Sequence, residues 1–252
     1  MIAARASAES PAPADASPAP PTLLSWDVVG SMPHDTDAWT EGLLIDAHGR
    51  LFESTGIVGH TSVREVDRTT GEVLRSAEPS DPVYGEGLAE ADGTLLQLTW
   101  KDGVALVWDP ETLELLGSHA YAGEGWGLCS DGARLVMSDG SDTLTFRDPS
   151  TFEATGSVDV TVMGKPLVKI NELECVDGEV WANVWETPYI VRIDPSTGEV
   201  TGALDLTGLA DPDPSAADPG AVLNGIAYDP DTDTFLVTGK LWPTMYELRV
   251  DR

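Results

Sequence analysis

"LVWDPETLELLGS", residues 106–118, is a run of strand-forming residues broken in the middle by Asp-Pro-Glu-Thr. Proline presets the first turn dihedral and the aspartate side chain bonds the backbone ahead of it, so the stretch doubles back as a β-hairpin. Three other stretches read the same way: "REVDRTTGEVLRS" (64–76), "TFRDPSTFEATGS" (145–157) and "VRIDPSTGEVTGA" (191–203). Upstream of each lies a second pair of short strands, beginning at Glu41, Glu86, Trp126 and Asn171, and a fifth such pair begins at Asn224. Units of four short strands at this spacing are the signature of a β-propeller, whose blades bury their faces against one another around a channel. The reading is therefore all-β, a five-bladed β-propeller. Its fifth unit supplies three strands, ending in "TMYELRV", and the unassigned strand "LLSWDVVGSM" (23–32) is expected to complete it. Such closure also removes the sheet edges.

The chain has 252 residues, 41% of them hydrophobic, which fits one domain over residues 25–252. Residues 1–24 are rich in Ala, Pro and Ser and read as a disordered leader or linker. Its "ARASA" resembles the small-residue end of a cleaved signal, so a secreted or periplasmic location is expected. With 14 Lys+Arg against 43 Asp+Glu the formal net charge is −29, which repels polyanions and argues against nucleic acid or an anionic membrane as partner. No apolar run reaches the roughly 20 residues that a membrane span needs. Cys129 and Cys175 are read as buried thiols, with a single disulfide between neighbouring units as the alternative.

Setting the five units in register puts Glu41, Glu86, Trp126, Asn171 and Asn224 at one position, at the start of each innermost strand, followed by Gly42, Gly87, Gly127, Glu172 and Gly225. The second strands end at Thr55, Trp100, Gly140, Trp185 and Lys240. Carboxylates, amides, a lysine and indoles thus converge at one end of the channel, where a scaffold alone would favour small apolar residues. Such a pocket suits a small polar or cationic group held between aromatic faces. Burial raises a glutamate's pKa and fits Glu86 for proton transfer, while Lys240 and Asn171 offer donors to a developing oxyanion. The glycines beside Glu86 are expected to let substrate backbone approach. No Ser-His or Cys-His pair suggests itself. Two other readings remain open at this point: a non-catalytic propeller that binds ligands in a Trp-lined pocket, and a calcium propeller using Glu41, Glu86 and Glu172 or Glu174.

"WTEGLLIDAHGRLFESTGIVGHTSVREVD" (39–67), "YGEGLAEADGTLLQLTWKDG" (84–103), "EGWGL" (124–128), "INELECVDGEVWANVWET" (170–187) and "VLNGIAYDPDTDTFLVTGKLWPTMYELRV" (222–250) resemble the plant and bacterial glutaminyl cyclases, and the resemblance spans about residues 25–250. It implies a five-bladed propeller and an acyltransferase that converts N-terminal glutamine of peptides or proteins to pyroglutamate with release of ammonia. It implies that Glu86 is the key glutamate and that Trp39, Trp100, Trp126, Asn171, Trp185 and Lys240 complete the pocket. Glu41 stands where the family often has Gln. No metal or other cofactor is expected in the chemistry, a structural calcium in the channel is compatible with it, and the enzyme is expected to act as a monomer.

Overall fold

Each of the four Asp-led turns forms as its residues dictate. In the computed structural model, which describes residues 19–210 and 217–252, Asp67 Oδ1 accepts hydrogen bonds from Thr69 N and Thr70 N at 2.8 Å each. Asp109, Asp148 and Asp194 cap their own turns in the same way. Four residues after each aspartate the backbone is left-handed, at Gly71 (φ 72), Leu113 (φ 57), Phe152 (φ 62) and Gly198 (φ 74). Glycine is needed at two of these positions because a Cβ would lie 1.9 Å from Pro33 O at Gly71 and 2.0 Å from Asp159 O at Gly198. At the other two the strain of a side chain in this region, of order 1–3 kcal/mol, is offset by burying Leu113 and Phe152.

After β1 (Thr22–Leu23) and β2 (Trp26–Pro33), the first blade is β3 (Thr40–Ile45), β4 (Leu51–Thr55), β5 (Ser62–Val66) and β6 (Val73–Ala77). The second is β7 (Gly85–Ala91), β8 (Thr94–Thr99), β9 (Val104–Trp108) and β10 (Leu115–Ala120), and the third β11 (Leu128–Ser130), β12 (Leu135–Met137), β13 (Thr143–Arg147) and β14 (Ala154–Asp159). A two-stranded ribbon, β15 (Thr161–Val162) and β16 (Lys165–Pro166), leads to the fourth: β17 (Ile170–Val176), β18 (Glu179–Val184), β19 (Tyr189–Ile193) and β20 (Val200–Asp205). The fifth is β21 (Leu223–Asp229), β22 (Thr234–Gly239) and β23 (Thr244–Val250), with β2 antiparallel to β23 as its outermost strand. The ring closes where the sequence predicts. Five apolar clusters fill the five spaces between neighbouring blades; one joins Leu43 and Leu51 to Leu236 and Met245 across the closure.

Two sequence expectations change. Residues 22–24, placed in the leader, belong to the propeller: β1 runs parallel to β20, and Leu24 is buried against the fourth and fifth blades. Residues 1–18 of the predicted leader lie outside the described residues. Cys129 on β11 and Cys175 on β17 are not thiols but a disulfide joining the third and fourth blades, with Cα atoms 5.5 Å apart.

His34, at the end of β2, locks the closure. Its Nδ1 lies 2.7 Å from Trp242 O, and its Nε2 is 3.0 Å from Glu53 Oε1. Glu53 also accepts from Arg64 Nη2 at 2.8 Å and Thr40 Oγ1 at 2.7 Å. Burial opposes ionisation of Glu53, but His34 and Arg64 outweigh it and hold the carboxyl at about 2.

Candidate active site

The innermost strands carry a shared irregularity at the channel mouth. The pairing of β3 with β4 slips between Thr40 and Gly42, that of β7 with β8 between Gly85 and Leu88, that of β17 with β18 between Ile170 and Leu173, and that of β21 with β22 between Leu223 and Ile226. A bulge re-aims the side chain it carries, and these four carry Glu41, Glu86, Asn171 and Asn224. The register read from the sequence is thus a ring of bulges in four blades; in the third, Trp126 precedes the strand.

The glycines that follow serve the scaffold, contrary to the expectation that they admit substrate. A Cβ at Gly42 would sit 2.6 Å from Leu88 N, at Gly87 2.5 Å from Leu128 N, and at Gly127 2.0 Å from Asn171 O. They let neighbouring inner strands touch. Where the fourth blade has Glu172 instead, its buried carboxylate accepts hydrogen bonds from Leu43 N (3.3 Å) and Ile226 N (2.8 Å), reaching the first and fifth blades. Two positions along, Glu174 accepts from Tyr228 N at 3.2 Å. Burial pushes Glu174 up to about 8, against the pull of the Tyr228 N–H, and burial together with the nearby Glu174 raises Glu172 well above the usual range.

Above this collar lies a cavity of about 180 Å³ whose lining includes all eight side chains singled out from the sequence: Trp39, Glu41, Glu86, Trp100, Trp126, Asn171, Trp185 and Lys240. Trp126 and Trp185 meet edge to face, with centroids 5.5 Å apart. Gly140 holds the second-ring position of the third blade because the Trp126 indole lies on it; a Cβ there would be 2.6 Å from Trp126 Cζ2. Opposite, Trp39 rests against Gly220 with Lys240 Nζ 5.3 Å from an indole ring centroid.

The two carboxylates differ sharply. Glu41 is engaged on every side: Lys240 Nζ donates to Oε1 at 2.6 Å, Tyr84 OH to the same oxygen at 2.8 Å, and Asn224 Nδ2 to Oε2 at 3.1 Å. The cavity's lysine is therefore paired with Glu41 rather than with Glu86. Burial first, and then the charge of Glu41, raise Glu86 well above the ordinary carboxylate range; Lys240 opposes them without prevailing. Its surroundings thus favour the protonated form of Glu86, while Glu41 forms an ion pair with Lys240. Asn171 Oδ1 is buried with no hydrogen-bond partner among the described residues.

Sequence reasoning missed three contributors. Tyr84 lines the cavity and steadies Glu41; Gly220 makes room for Trp39; and one oxygen of Glu124 accepts both the Trp100 indole N–H at 2.8 Å and the Trp126 indole N–H at 3.1 Å. The signal for two of them was present. The residue two positions before the first ring is Trp39, Tyr84, Glu124, Lys169 and Val222 in the five blades, and four of these touch the cavity's side chains: Lys169 Nζ lies 5.1 Å from a Trp185 ring centroid. Gly220 lies outside the repeat and gave no signal.

The model of a family described as glutamine cyclotransferase matches residues 1–250. A glutaminyl-peptide cyclotransferase of Arabidopsis thaliana is 39% identical over 226 residues, which cover 89% of this chain and 71% of that protein. The crystal structure of Myxococcus xanthus glutaminyl cyclase superposes with a TM-score of 0.84 at 37% identity, over 92% of this chain and 98% of that one.

Proposed function

This chain belongs to the glutamine cyclotransferase family and is a glutaminyl-peptide cyclotransferase, and on that premise we propose that Glu86 is the residue that moves the proton during ring closure. The carrying observation is the asymmetry of the two carboxylates. Glu41 is locked by Lys240, Tyr84 and Asn224, whereas Glu86 is buried, faces the cavity and, among the described residues, is paired with no cation. An N-terminal amine titrates near 7.7–8.0 and reaches the site largely as ammonium. Its positive charge favours the carboxylate form of Glu86, which takes the ammonium proton and passes it to solvent; the carboxylate then accepts a second proton as the neutral amine attacks the γ-carbonyl. The N–C bond forms, the carbonyl oxygen gains negative charge, and Lys240 and Asn171 supply donors to it. Glu86 next returns the proton to the amide nitrogen, the C–N bond breaks, and ammonia leaves with pyroglutamate remaining on the peptide. Holding the glutamine folded between Trp126, Trp185 and Trp39 brings amine and carbonyl together, an advantage worth several kcal/mol in well-oriented reactions.

This chemistry needs no metal: proton transfer and oxyanion stabilisation are both supplied by side chains that line the cavity. After exhaustive dialysis against EDTA, wild-type protein is expected to release ammonia from a Gln-Ala dipeptide at its original rate, and Glu86→Gln to lose about 10²-fold or more in kcat, the scale of general acid–base catalysis. Glu41→Gln should keep more activity, because Gln can still accept from Lys240. If Glu41→Gln is the dead variant and Glu86→Gln turns over normally, the roles are reversed; if EDTA abolishes turnover and zinc restores it, the metal-free mechanism is wrong. The disulfide supports the export expected from the sequence, since such bonds persist in oxidising compartments.

A further inference from the structure

The cavity is smaller than the 300–1,000 Å³ of a typical small-molecule pocket, so it accommodates little more than the terminal residue, and the rest of a peptide substrate lies outside it. Beside it is a larger, mainly apolar groove of about 270 Å³ between the fourth and fifth blades. Three separate stretches of chain pass from one to the other. Trp185 lines the cavity and Glu186–Pro188 the groove; Gly220 lines the cavity and Ala221–Leu223 the groove; Lys240 lines the cavity and Trp242 the groove. With consecutive Cα atoms 3.8 Å apart, each wall crosses within about two residues, so the two hollows adjoin on one face.

The ring of large side chains above the first ring is interrupted on that side. Of the five residues two positions before the first ring, Trp39 and Tyr84 line the cavity, Glu124 holds two of its indoles and Lys169 lies by a third, but the fifth is the short Val222, which lines the groove instead. Next to it stands Gly220, against which the Trp39 indole lies. The floor is firm: Trp242 is buried and its Nε1 donates to Ala221 O at 3.1 Å, while Lys240 N donates to Val222 O at 2.9 Å, so the turn that carries the lysine also fixes the groove's edge.

We propose that this groove is the binding site for the residues that follow the N-terminal glutamine, and that it selects apolar side chains at the second or third position. The proposal rests on the cyclotransferase reading of the cavity. A peptide whose glutamine fills the cavity leaves past Val222 and lays its next side chains against Leu206, Ala210 and Trp242. One added apolar group in such a pocket changes discrimination by about 10–200-fold.

The test is kcat/KM for ammonia release from Gln-Gly-Gly, Gln-Leu-Gly, Gln-Gly-Leu and Gln-Asp-Gly, with wild type and with Ala210→Trp, which plugs the groove away from the catalytic side chains. Wild type is expected to favour one or both leucine peptides over Gln-Gly-Gly by about 10-fold or more, through KM more than kcat. Ala210→Trp should erase that preference and still turn over Gln-Gly-Gly. A flat wild-type series alongside good turnover of Gln-Gly-Gly overturns the groove and leaves the cavity's reading intact, and a folded Ala210→Trp that keeps the full preference overturns it too. No turnover of any peptide by wild type overturns the reading of the cavity itself. The wild-type series decides the matter even if the variant does not fold.

Discussion

A single oxygen of Glu124 orients half of the aromatic cage. Its Oε2 takes the indole N–H groups of both Trp100 and Trp126, and Lys101 adds a contact to its other oxygen at 3.5 Å while lying over Trp100. Burial works against the charged form, but the two indole N–H groups and Lys101 prevail, and Glu124 stays ionised below the usual range. Because it does not line the cavity, Glu124 acts through the indoles as a positioning residue. Glu124→Ala should cost about 10-fold or more in kcat/KM, since small misplacements of substrate are expensive in rate. Glu124→Gln keeps an acceptor for the same two donors and should recover most of the loss, which a requirement for charge at that place would not permit. The measurement is kcat and KM for Gln-Ala in both variants together with tryptophan emission, which should shift in Glu124→Ala alone. Equal activity in all three proteins would show that packing alone holds the indoles.

At the scale of the element, the innermost strand of each blade combines two demands, contact with its neighbours and a side chain aimed at the site. The bulges at Glu41, Glu86, Asn171 and Asn224 meet the second demand, and Gly42, Gly87 and Gly127 the first. The disulfide adds a covalent tie between β11 and β17, the two strands nearest Trp126 and Asn171. It closes a loop of sequence separation 46, for which chain entropy gives about 4 kcal/mol as an upper figure. The Cys129→Ser/Cys175→Ser variant should therefore unfold in denaturant with about 2–4 kcal/mol less stability, and two free thiols titrating in the denatured, unreduced wild type would remove the basis for that expectation. The sequence showed the blades and the ring because Asp-led turns and a repeat register are local and periodic. It did not show that Thr22–Leu23 pairs with β20, since two residues carry no period. The choice between thiols and a disulfide was left open, because it depends on how strands of two neighbouring blades face one another. The glycines at 85 and 87 were visible but misread: a bare backbone signals close approach, and the sequence does not say whether substrate or a neighbouring strand is what approaches.

Across the whole molecule, buried carboxyls set opposing responses to pH. Glu86, Glu172 and Glu174 are raised in the folded state, Glu174 to about 8, against about 4.3 in an unfolded chain. The folded protein therefore binds more protons than the unfolded one through this range, and the stability these groups contribute is complete below about 4.3 and is lost as pH rises through their folded values. His34 acts in the same direction: burial alone would lower it, but Glu53 raises it on balance, so its share is present below about 6.5 and disappears at higher pH. Glu53 works the other way. Held at about 2, it contributes stability above the unfolded value that is lost as the pH falls toward 2. Self-repulsion from a formal charge of −29 adds to the loss on the alkaline side and is screened by salt. The melting temperature should accordingly peak in mildly acidic solution, near pH 5, and fall steadily between pH 6 and 9, with the fall shallower in high salt. Glu174→Gln, which keeps an acceptor for Tyr228 N without the titration, should flatten the slope around pH 8 in particular. A melting temperature that is level or rising from pH 6 to 9 in wild type would mean that the channel carboxyls ionise freely in the folded protein, and the raised, proton-shuttling Glu86 would have to be abandoned with them.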